Sequence, residues 1–349
     1  MDHEPLPTSV VGSHARPSWF VSGIAGAERG EFGPVDLEEM LTDAVGLALR
    51  DQEEAGVDIV TDGEMRRAGF FTAEFYRHVT GVVALPPDRL LGAGAHDQQH
   101  RFRVVERIAA PDGLGVVAEY RSALTRTTRP LKVTLPGPYT LSGRLTYGPG
   151  EVYADRNEVA EAFVPILRAE LEGLVAAGAD IIQIDEPSPA IHPQAPTDFS
   201  ALFNAAVEPI VGLARLGAHL CFGNYLGRPL ARRTYRPVLG AMLGFRVDEL
   251  VLEFANREMA EVEILAEIAA AGRDVAAGVV DVKNSYLETA DDVAERIDRV
   301  LAADVPAEAL TLVPDCGFSQ TPRAATQAKL QALVAGRDLV LGRTRRSER

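Results

Sequence analysis

Eight short runs rich in β-branched residues recur along the chain, separated by stretches whose apolar residues have helical spacing. Each run ends on polar residues or on a glycine or proline, which is the pattern of βα units in a parallel sheet. Eight such units predict an α/β fold of the (β/α)₈ or TIM-barrel type, with helices outside the strands. The predicted strands are residues 9–13, 57–64, 131–138, 179–187, 218–222, 249–254, 275–283 and 310–316.

The stretches between the runs predict helices, among them residues 35–56 and 256–272. A last helix is predicted from the Thr321-Pro322 pair to about residue 335, followed by a frayed basic tail at about 342–349. There is no internal repeat, low-complexity tract or linker. We therefore expect residues 1–349 to form a single catalytic domain.

One stretch breaks the alternation of strand and helix. Residues 101–108 and 114–124 flank a Pro-Asp-Gly turn at 111–113. This pattern predicts an antiparallel hairpin, inserted at about 99–126 between the second and third strands.

The composition of the chain disfavours membrane, secreted and nucleic-acid-binding proteins. Of 349 residues, 46% are hydrophobic and 24% charged, and no apolar run approaches the ~18 residues of a membrane span. The start of the chain lacks the features of a secretory signal, so we expect a cytoplasmic protein without a membrane partner. A net charge of −15 disfavours nucleic acid as a partner. In a reducing compartment the only two cysteines are expected to be free thiols.

In a barrel of this type the active site lies at the carboxyl ends of the strands. Histidine, two cysteines and a carboxylate lie at such ends, and this ligand set favours zinc over calcium or magnesium. The predicted zinc ligands are His219, Cys221, Glu253 and Cys316. The other polar residues predicted at strand ends are Ser13, Glu64, Tyr139, Asp185, Asp281 and Lys283.

Two of these carboxylates, Glu64 and Asp185, are either helix caps and ion-pair partners or a paired site for a substrate ammonium group. Ser13 is either a turn residue or a group that holds a substrate carboxylate, and Lys283 is either ion-paired or catalytic. The glycine-rich motifs that bind phosphate groups, G-x-G-x-x-G and G-x-x-x-x-G-K-(S/T), do not occur in the sequence, so no nucleotide cofactor is indicated.

Eight motifs in order along nearly the whole chain resemble the catalytic barrel of cobalamin-independent methionine synthase, here in a single-barrel form. They are VVGSHARP, TDGE, LPGPYTL, QIDEP, HLC, LVLEF, GVVDVK and VPDCGF. The resemblance implies a zinc-dependent S-methyltransferase that methylates homocysteine to methionine. It implies zinc on His219, Cys221, Glu253 and Cys316, and homocysteine contacts from Ser13, Glu64 and Asp185.

The chain departs from the family pattern where the methyl donor is expected to bind. Arg144 stands in place of a tryptophan that stacks on the pterin, and Ile191 in place of an acidic residue. Ala68 and Gly69 replace an Asn-Asp pair, and Lys283 replaces a histidine suggested as a proton donor. We therefore expect Asp185 and Lys283 to be catalytic and Arg144 to bind substrate.

Three hypotheses follow. The first is a homocysteine methyltransferase whose donor is not a folate polyglutamate, such as a methylated corrinoid protein or a small methyl carrier. The second is a zinc-dependent alkyltransferase on another thiol, related to epoxyalkane:coenzyme M transferase. The third is a non-catalytic zinc- or thiol-binding protein. Retention of both Glu64 and Asp185 favours an amino-thiol over a sulfonate thiol.

Overall fold

The computed structural model describes residues 5–67, 74–86, 88–89, 98–99, 101–224 and 227–347. The strands are β1 (Thr80–Ala84), β2 (Asp88–Arg89), β3 (Gln98–Gln99), β4 (Phe102–Ala109), β5 (Lys132–Pro136), β6 (Ile181–Asp185), β7 (Arg215–Leu220), β8 (Glu249–Leu252), β9 (Asp274–Val280) and β10 (Leu310–Pro314). The helices are α1 (Ser18–Glu28), α2 (Pro34–Ala55), α3 (Val116–Leu124), α4 (Pro138–Ser142), α5 (Arg156–Ala176), α6 (Ser188–Ile191), α7 (Phe199–Val207), α8 (Leu239–Leu243), α9 (Ile264–Ala270), α10 (Ala290–Leu301) and α11 (Arg323–Ser347).

Six of the eight predicted strands are confirmed as the strands β5 to β10 of one parallel sheet. Each pairs with the strand next to it in sequence, in the order β10-β9-β8-β7-β6-β5. Parallel neighbours need crossover connections, and helical segments between these strands provide them. The carboxyl ends of all six strands therefore lie at one edge of the sheet.

The other two predicted strands, 9–13 and 57–64, form isolated parallel bridges instead of strands. Side chains form hydrogen bonds with backbone N–H groups that would pair with a neighbouring strand in a longer β-ladder. The Thr8 N–H donates to Asp58 Oδ2 at 2.8 Å, and the Thr61 N–H donates to Gln52 Oε1 at 2.9 Å. The bridges join Thr8 with Leu312, Ser9 with Ile59, and Val60 with Leu131.

The predicted hairpin at 99–126 is wrong in its second arm. Its first arm is β4, which pairs antiparallel with the upstream strand β1. The second arm forms α3, because Val116, Tyr120 and Ala123 recur at helical spacing and are buried together on one side. Two β-branched residues at the start of this segment suggested a strand. Residue 100, like Ala68 and Gly69, lies outside the described residues.

The predicted helix at 35–56 is confirmed as α2, which ends at Gly56 with a left-handed φ of 87°. The helix predicted at 256–272 is wrong in its first half. Backbone N–H groups of residues 254–256 donate to the Asp315 carboxylate, and three later residues have positive φ, so the chain turns before α9 begins. Those three residues are Glu258, Met259 and Glu261.

The last helix, α11, extends beyond the predicted end at residue 335, and the predicted tail is helical as far as Ser347. Val340 is buried against the core, and Arg337 forms an ion pair with Asp58 at 2.9 Å. Arg343 pairs with Asp298 of α10 at 2.8 Å. These contacts hold the basic end in place. The last two residues lie outside the description.

Side chains alternate between the two faces of the sheet. One face of β5 to β10 carries apolar residues that belong to the main core with the helices. The other face carries buried polar residues, which are Lys132, Thr134, Gln183, Asp185, His219, Glu249 and Thr311. Such polar burial requires hydrogen-bond partners on this face. Across the described residues, we find no helix with the length and apolar character of a membrane span.

Candidate active site and metal centre

Three soft ligand atoms meet at the carboxyl edge of the sheet. Those of His219, Cys221 and Cys316 all lie within 4.8 Å of one another. His219 belongs to β7, Cys221 directly follows it, and Cys316 follows β10. Imidazole and two thiols at this spacing form the core of a donor set suited to zinc.

The hydrogen bond of His219 determines which ring nitrogen is available to a metal. Nδ1 lies 3.1 Å from the Val251 carbonyl oxygen. A carbonyl oxygen only accepts, so Nδ1 carries the proton and Nε2 keeps its lone pair. Nε2 is buried and has no hydrogen-bond partner among the described residues. A buried acceptor without a partner, beside two thiols, fits a metal ligand.

The two cysteines differ in their tendency to ionise. The Cys221 thiol donates to Cys316, which holds the pKa of Cys316 well below its usual range although burial opposes this shift. The same hydrogen bond, together with burial, raises the pKa of Cys221. The thiolate is the form that binds metal, and the hydrogen bond from Cys221 favours that form at Cys316.

The fourth predicted ligand, Glu253, directly follows β8 and is fully buried. Its Oε2 accepts a hydrogen bond from Lys283 Nζ, and its Oε1 is buried without a partner among the described residues. Burial raises the pKa of Glu253, and the ammonium group of Lys283 opposes this rise. Glu253 therefore has one carboxylate oxygen paired and one available.

Two buried side chains bring these strand ends together. Asp315, next to Cys316, accepts backbone N–H groups from residues 254–256 at 2.6–2.9 Å, which fixes the segment after Glu253. The Tyr235 hydroxyl donates to the Leu220 carbonyl at 2.8 Å and accepts the Glu253 N–H at 3.0 Å. The carboxyl ends of β7, β8 and β10 are thus joined by hydrogen bonds before any ligand binds.

The predicted carboxylate pair lies at the same edge of the sheet, and Asp185 is the register neighbour of His219 on the adjacent strand. Asp185 ends β6, and its Oδ1 accepts from Gln183 Nε2 at 2.7 Å. Burial raises the pKa of Asp185 to about 7. Glu64 has a φ of 54°, and its Oε1 accepts from Thr134 Oγ1 at 2.8 Å. A strained backbone held by side-chain contacts is common at functional sites.

Seven of the nine predicted site residues line one cavity of about 200 Å³. The seven residues are Ser13, Glu64, Arg144, Asp185, His219, Cys221 and Cys316. A concave site with convergent polar groups is typical of small-molecule binding.

The remaining two, Glu253 and Lys283, form the buried ion pair described above and are not among the cavity-lining residues. Two other predicted strand-end residues have structural contacts. Tyr139 packs under the Arg156 guanidinium at 3.9 Å, and Asp281 accepts the Lys283 N–H at 2.7 Å.

Sequence reasoning missed several residues that support the site. Arg67 lies 3.3 Å from Glu64 Oε1 and 2.9 Å from Glu119, and Gln183 contacts Asp185 directly. Gln183 carries a signal in the sequence, since it is a polar residue two positions before Asp185 within a buried strand. Arg16, Asn224 and Gln320 also line the cavity.

The sequence of the chain matches a known protein family and several curated proteins. Residues 6–337 match the family described as the catalytic domain of cobalamin-independent synthase. A methionine synthase from Sulfurisphaera tokodaii is 32% identical over 344 residues, covering 97% of this chain and 94% of that protein. One from Pyrococcus abyssi is 32% identical over 331 residues, covering 94% and 91%.

The chain belongs to the cobalamin-independent methionine synthase family. Among solved structures, a B12-independent methionine synthase from Shewanella sp. W3-18-1, in complex with selenomethionine, superposes with a TM-score of 0.81. It is 28% identical in sequence, and the match covers 98% of this chain and 99% of that one. The family resemblance predicted from the motifs is therefore confirmed.

Proposed function

We propose that this protein is a zinc-dependent methyltransferase that transfers a methyl group to the sulfur of homocysteine and forms methionine. The observation that supports this most directly is the cavity, which places a soft ligand cluster and a carboxylate pair in the same small space. Membership of the methionine synthase family agrees with this chemistry.

His219, Cys221, Glu253 and Cys316 would hold the metal. The available Nε2 of His219, the low pKa of Cys316 and the unpaired Oε1 of Glu253 all suit this role. When bound, zinc would supply the Lewis acidity that favours the thiolate form of a substrate thiol.

Glu64 and Asp185 would bind the ammonium group of homocysteine, and Ser13 its carboxylate. Both acidic side chains line the cavity and are almost fully buried, at 7% and 4% exposure. In this setting a charge-assisted hydrogen bond to an ammonium is strong. Asp185 would contact substrate directly, whereas Lys283 would act through its ion pair with Glu253 and keep that carboxylate charged.

Two alternatives are less well supported. The sulfonate of a coenzyme M-type thiol would face two carboxylates, Glu64 and Asp185, where it needs cations. A non-catalytic zinc site would gain nothing from that carboxylate pair.

We propose further that the methyl donor is not a folate polyglutamate. Arg144 and Ile191 line the cavity. They stand where the family resemblance implies an aromatic and an acidic side chain in the folate-using members. A methylated corrinoid is one candidate donor.

We also infer that the three isolated bridges complete the sheet into an eight-stranded barrel within one domain. They connect β10 to the segment at residue 8, that segment to residue 59, and residue 60 to residue 131 beside β5. A continuous circuit of parallel pairing is what a (β/α)₈ barrel requires.

The test of the proposed function is methionine formation by zinc-loaded protein from homocysteine with methylcobalamin or methyltetrahydrofolate triglutamate as donor. We expect turnover that needs both homocysteine and zinc. No methionine with any methyl donor, together with tighter binding of coenzyme M than of homocysteine, would favour the alkyltransferase alternative.

A further inference from the structure

A chain of buried hydrogen bonds runs along the polar face of the sheet toward Asp185. Lys132 Nζ donates to Gln183 Oε1 at 2.8 Å, and Gln183 Nε2 donates to Asp185 Oδ1 at 2.7 Å. The same Nε2 donates to the Val11 carbonyl oxygen at 2.8 Å. Lys132, Gln183 and Asp185 are exposed by only 4%, 1% and 4%.

The lysine determines which way the glutamine amide points. An ammonium group has donors only, so it must face the amide oxygen of Gln183. The amide nitrogen is then directed at Asp185 and Val11, each of which offers an acceptor. Without Lys132 the amide can rotate and place its oxygen against the Asp185 carboxylate, which is repulsive.

The contact with Val11 extends this control to a second part of the site. Val11 lies two residues before Ser13 in the first strand segment. Ser13 is in turn held to the segment that follows Cys316, because the Phe318 N–H donates to the Ser13 carbonyl at 2.7 Å. One amide group therefore contacts both Asp185 and the segment that carries Ser13.

We propose that Gln183, oriented by Lys132, is a positioning residue that makes the site selective for α-amino acids, because it fixes the spacing between Asp185 and the Ser13 segment. The inference rests on the proposed function, in which those two residues bind the ammonium and the carboxylate of one substrate. A ligand that lacks either group gains nothing from this spacing.

A purely structural role for Lys132 is a poor explanation of its burial. Among the described carboxylates none forms an ion pair with it, and its hydrogen-bond partner is a neutral amide. Burial lowers the pKa of Lys132 to about 8, against the nearby charges of Glu249 and Asp185, which raise it. An aliphatic side chain would fill the space without this penalty.

The test compares three thiols on zinc-loaded protein by calorimetry: homocysteine, 4-mercaptobutanoate without the amino group, and 3-mercaptopropylamine without the carboxylate. The variants are Gln183→Glu, which is nearly isosteric but places an oxygen against Asp185, and Lys132→Met. Thr311→Val is the matched control, since Thr311 is also buried on this face but bonds to Glu249 at 2.7 Å.

We expect either variant to weaken homocysteine binding about 10- to 100-fold, the range for a hydrogen bond to a charged group. Binding of 4-mercaptobutanoate should change less than about threefold, and the loss for 3-mercaptopropylamine should be smaller than the loss for homocysteine, with zinc content and the control unaffected. Equal losses for all three thiols, or no loss for homocysteine, would overturn the inference. If one variant does not fold, the other gives the same comparison.

The same experiment distinguishes failure of the proposed function from failure of the positioning role. If the wild-type protein retains zinc but binds none of the three thiols, the assignment of substrate is wrong irrespective of Gln183. If the wild type binds homocysteine and Lys132→Met binds it equally well, only the positioning role is wrong.

Discussion

The inner and outer parts of the cavity are built differently. In the inner part, which we call the thiol half, Asp185, His219 and Cys221 are buried, and backbone or buried side-chain hydrogen bonds hold the surrounding chain. In the outer part, which we call the donor half after the proposed donor site, Arg144 and Ile191 are partly exposed on short loop and helix segments. We expect substitutions at Arg144 and Ile191 to leave the thiol half undisturbed, and both positions depart from the family pattern.

The largest expected effect is on the metal in the thiol half. Cys316→Ser removes the thiol with the lowered pKa, so zinc affinity should fall by more than about 100-fold and methyl transfer should be lost. Ser319→Ala, which changes another cavity-lining residue, is the control and should keep its zinc. The test is the zinc content of each protein after dialysis. Unchanged zinc content in Cys316→Ser would show that Cys316 is not a zinc ligand.

The next largest effect is expected on the stability of the protein, through buried hydrogen bonds of Asp51 near the Ser13 segment. Asp51 of α2 accepts from His14 Nε2 at 3.0 Å and from Arg323 at 2.6 and 2.7 Å, which links the Ser13 segment to α11. Asp51→Asn should lower the free energy of unfolding by about 3 kcal/mol, as when a buried ion pair loses one partner. Urea unfolding at neutral pH measures it.

The same residue gives a pH dependence with a defined sign. Burial alone would raise the pKa of Asp51, but the hydrogen bonds from His14 and Arg323 outweigh it and lower the pKa below its usual value. Stability from this group is therefore present above about pH 4 and is lost as the pH falls from there. Asp51→Asn should flatten this acid limb of the stability curve. An unchanged acid limb would show that other carboxylates dominate it.

A smaller effect is expected for the carboxylates that would bind the ammonium group. Asp185→Asn should weaken homocysteine binding by about 1–3 kcal/mol, or about 10- to 100-fold. Affinity for 4-mercaptobutanoate, which lacks the amino group, should stay the same and is the control for an intact zinc site. Calorimetry that gives full homocysteine affinity in the variant would contradict the assignment.

Much of the thiol half could be predicted from sequence because its residues lie at the ends of buried strands. His219 and Cys221 are two positions apart at the end of β7, and Asp185 closes β6. Strand periodicity and the rule that barrel sites lie at carboxyl ends were enough to bring them together. Ion pairing of Lys283 was one of the two interpretations of the sequence, but its partner Glu253 could not be predicted, since the pairing depends on the path of the loop after β9.

Secondary structure was predicted wrongly from the sequence in two kinds of place. In one, side chains form the hydrogen bonds that backbone groups of a neighbouring strand would form. In the other, burial in the folded protein outweighs the local preference of the residues for a strand. At residues 9–13 and 57–64 the ladders are limited to single bridges, because the N–H groups of Thr61 and Thr8 donate to the side chains of Gln52 and Asp58. At 116–124, two valines suggested a strand, but burial of one helical side decided the structure. The support from Arg67 to Glu64 is likewise a tertiary contact that no local pattern records.

The smallest expected effect tests the donor half itself. Arg144→Trp would restore an aromatic platform at the cavity mouth, and stacking is worth about 0.5–1.5 kcal/mol beyond area burial. Use of methyltetrahydrofolate triglutamate should therefore improve by only about 2- to 10-fold in kcat/KM, while homocysteine affinity stays constant because the thiol half is untouched. The matched control is Arg144→Ala, which removes the guanidinium without adding a ring. Efficient turnover of the folate by the wild-type protein, reduced in Arg144→Ala, would show that the planar guanidinium already stacks on the pterin. In that case the two halves of the cavity would both have kept the family reaction.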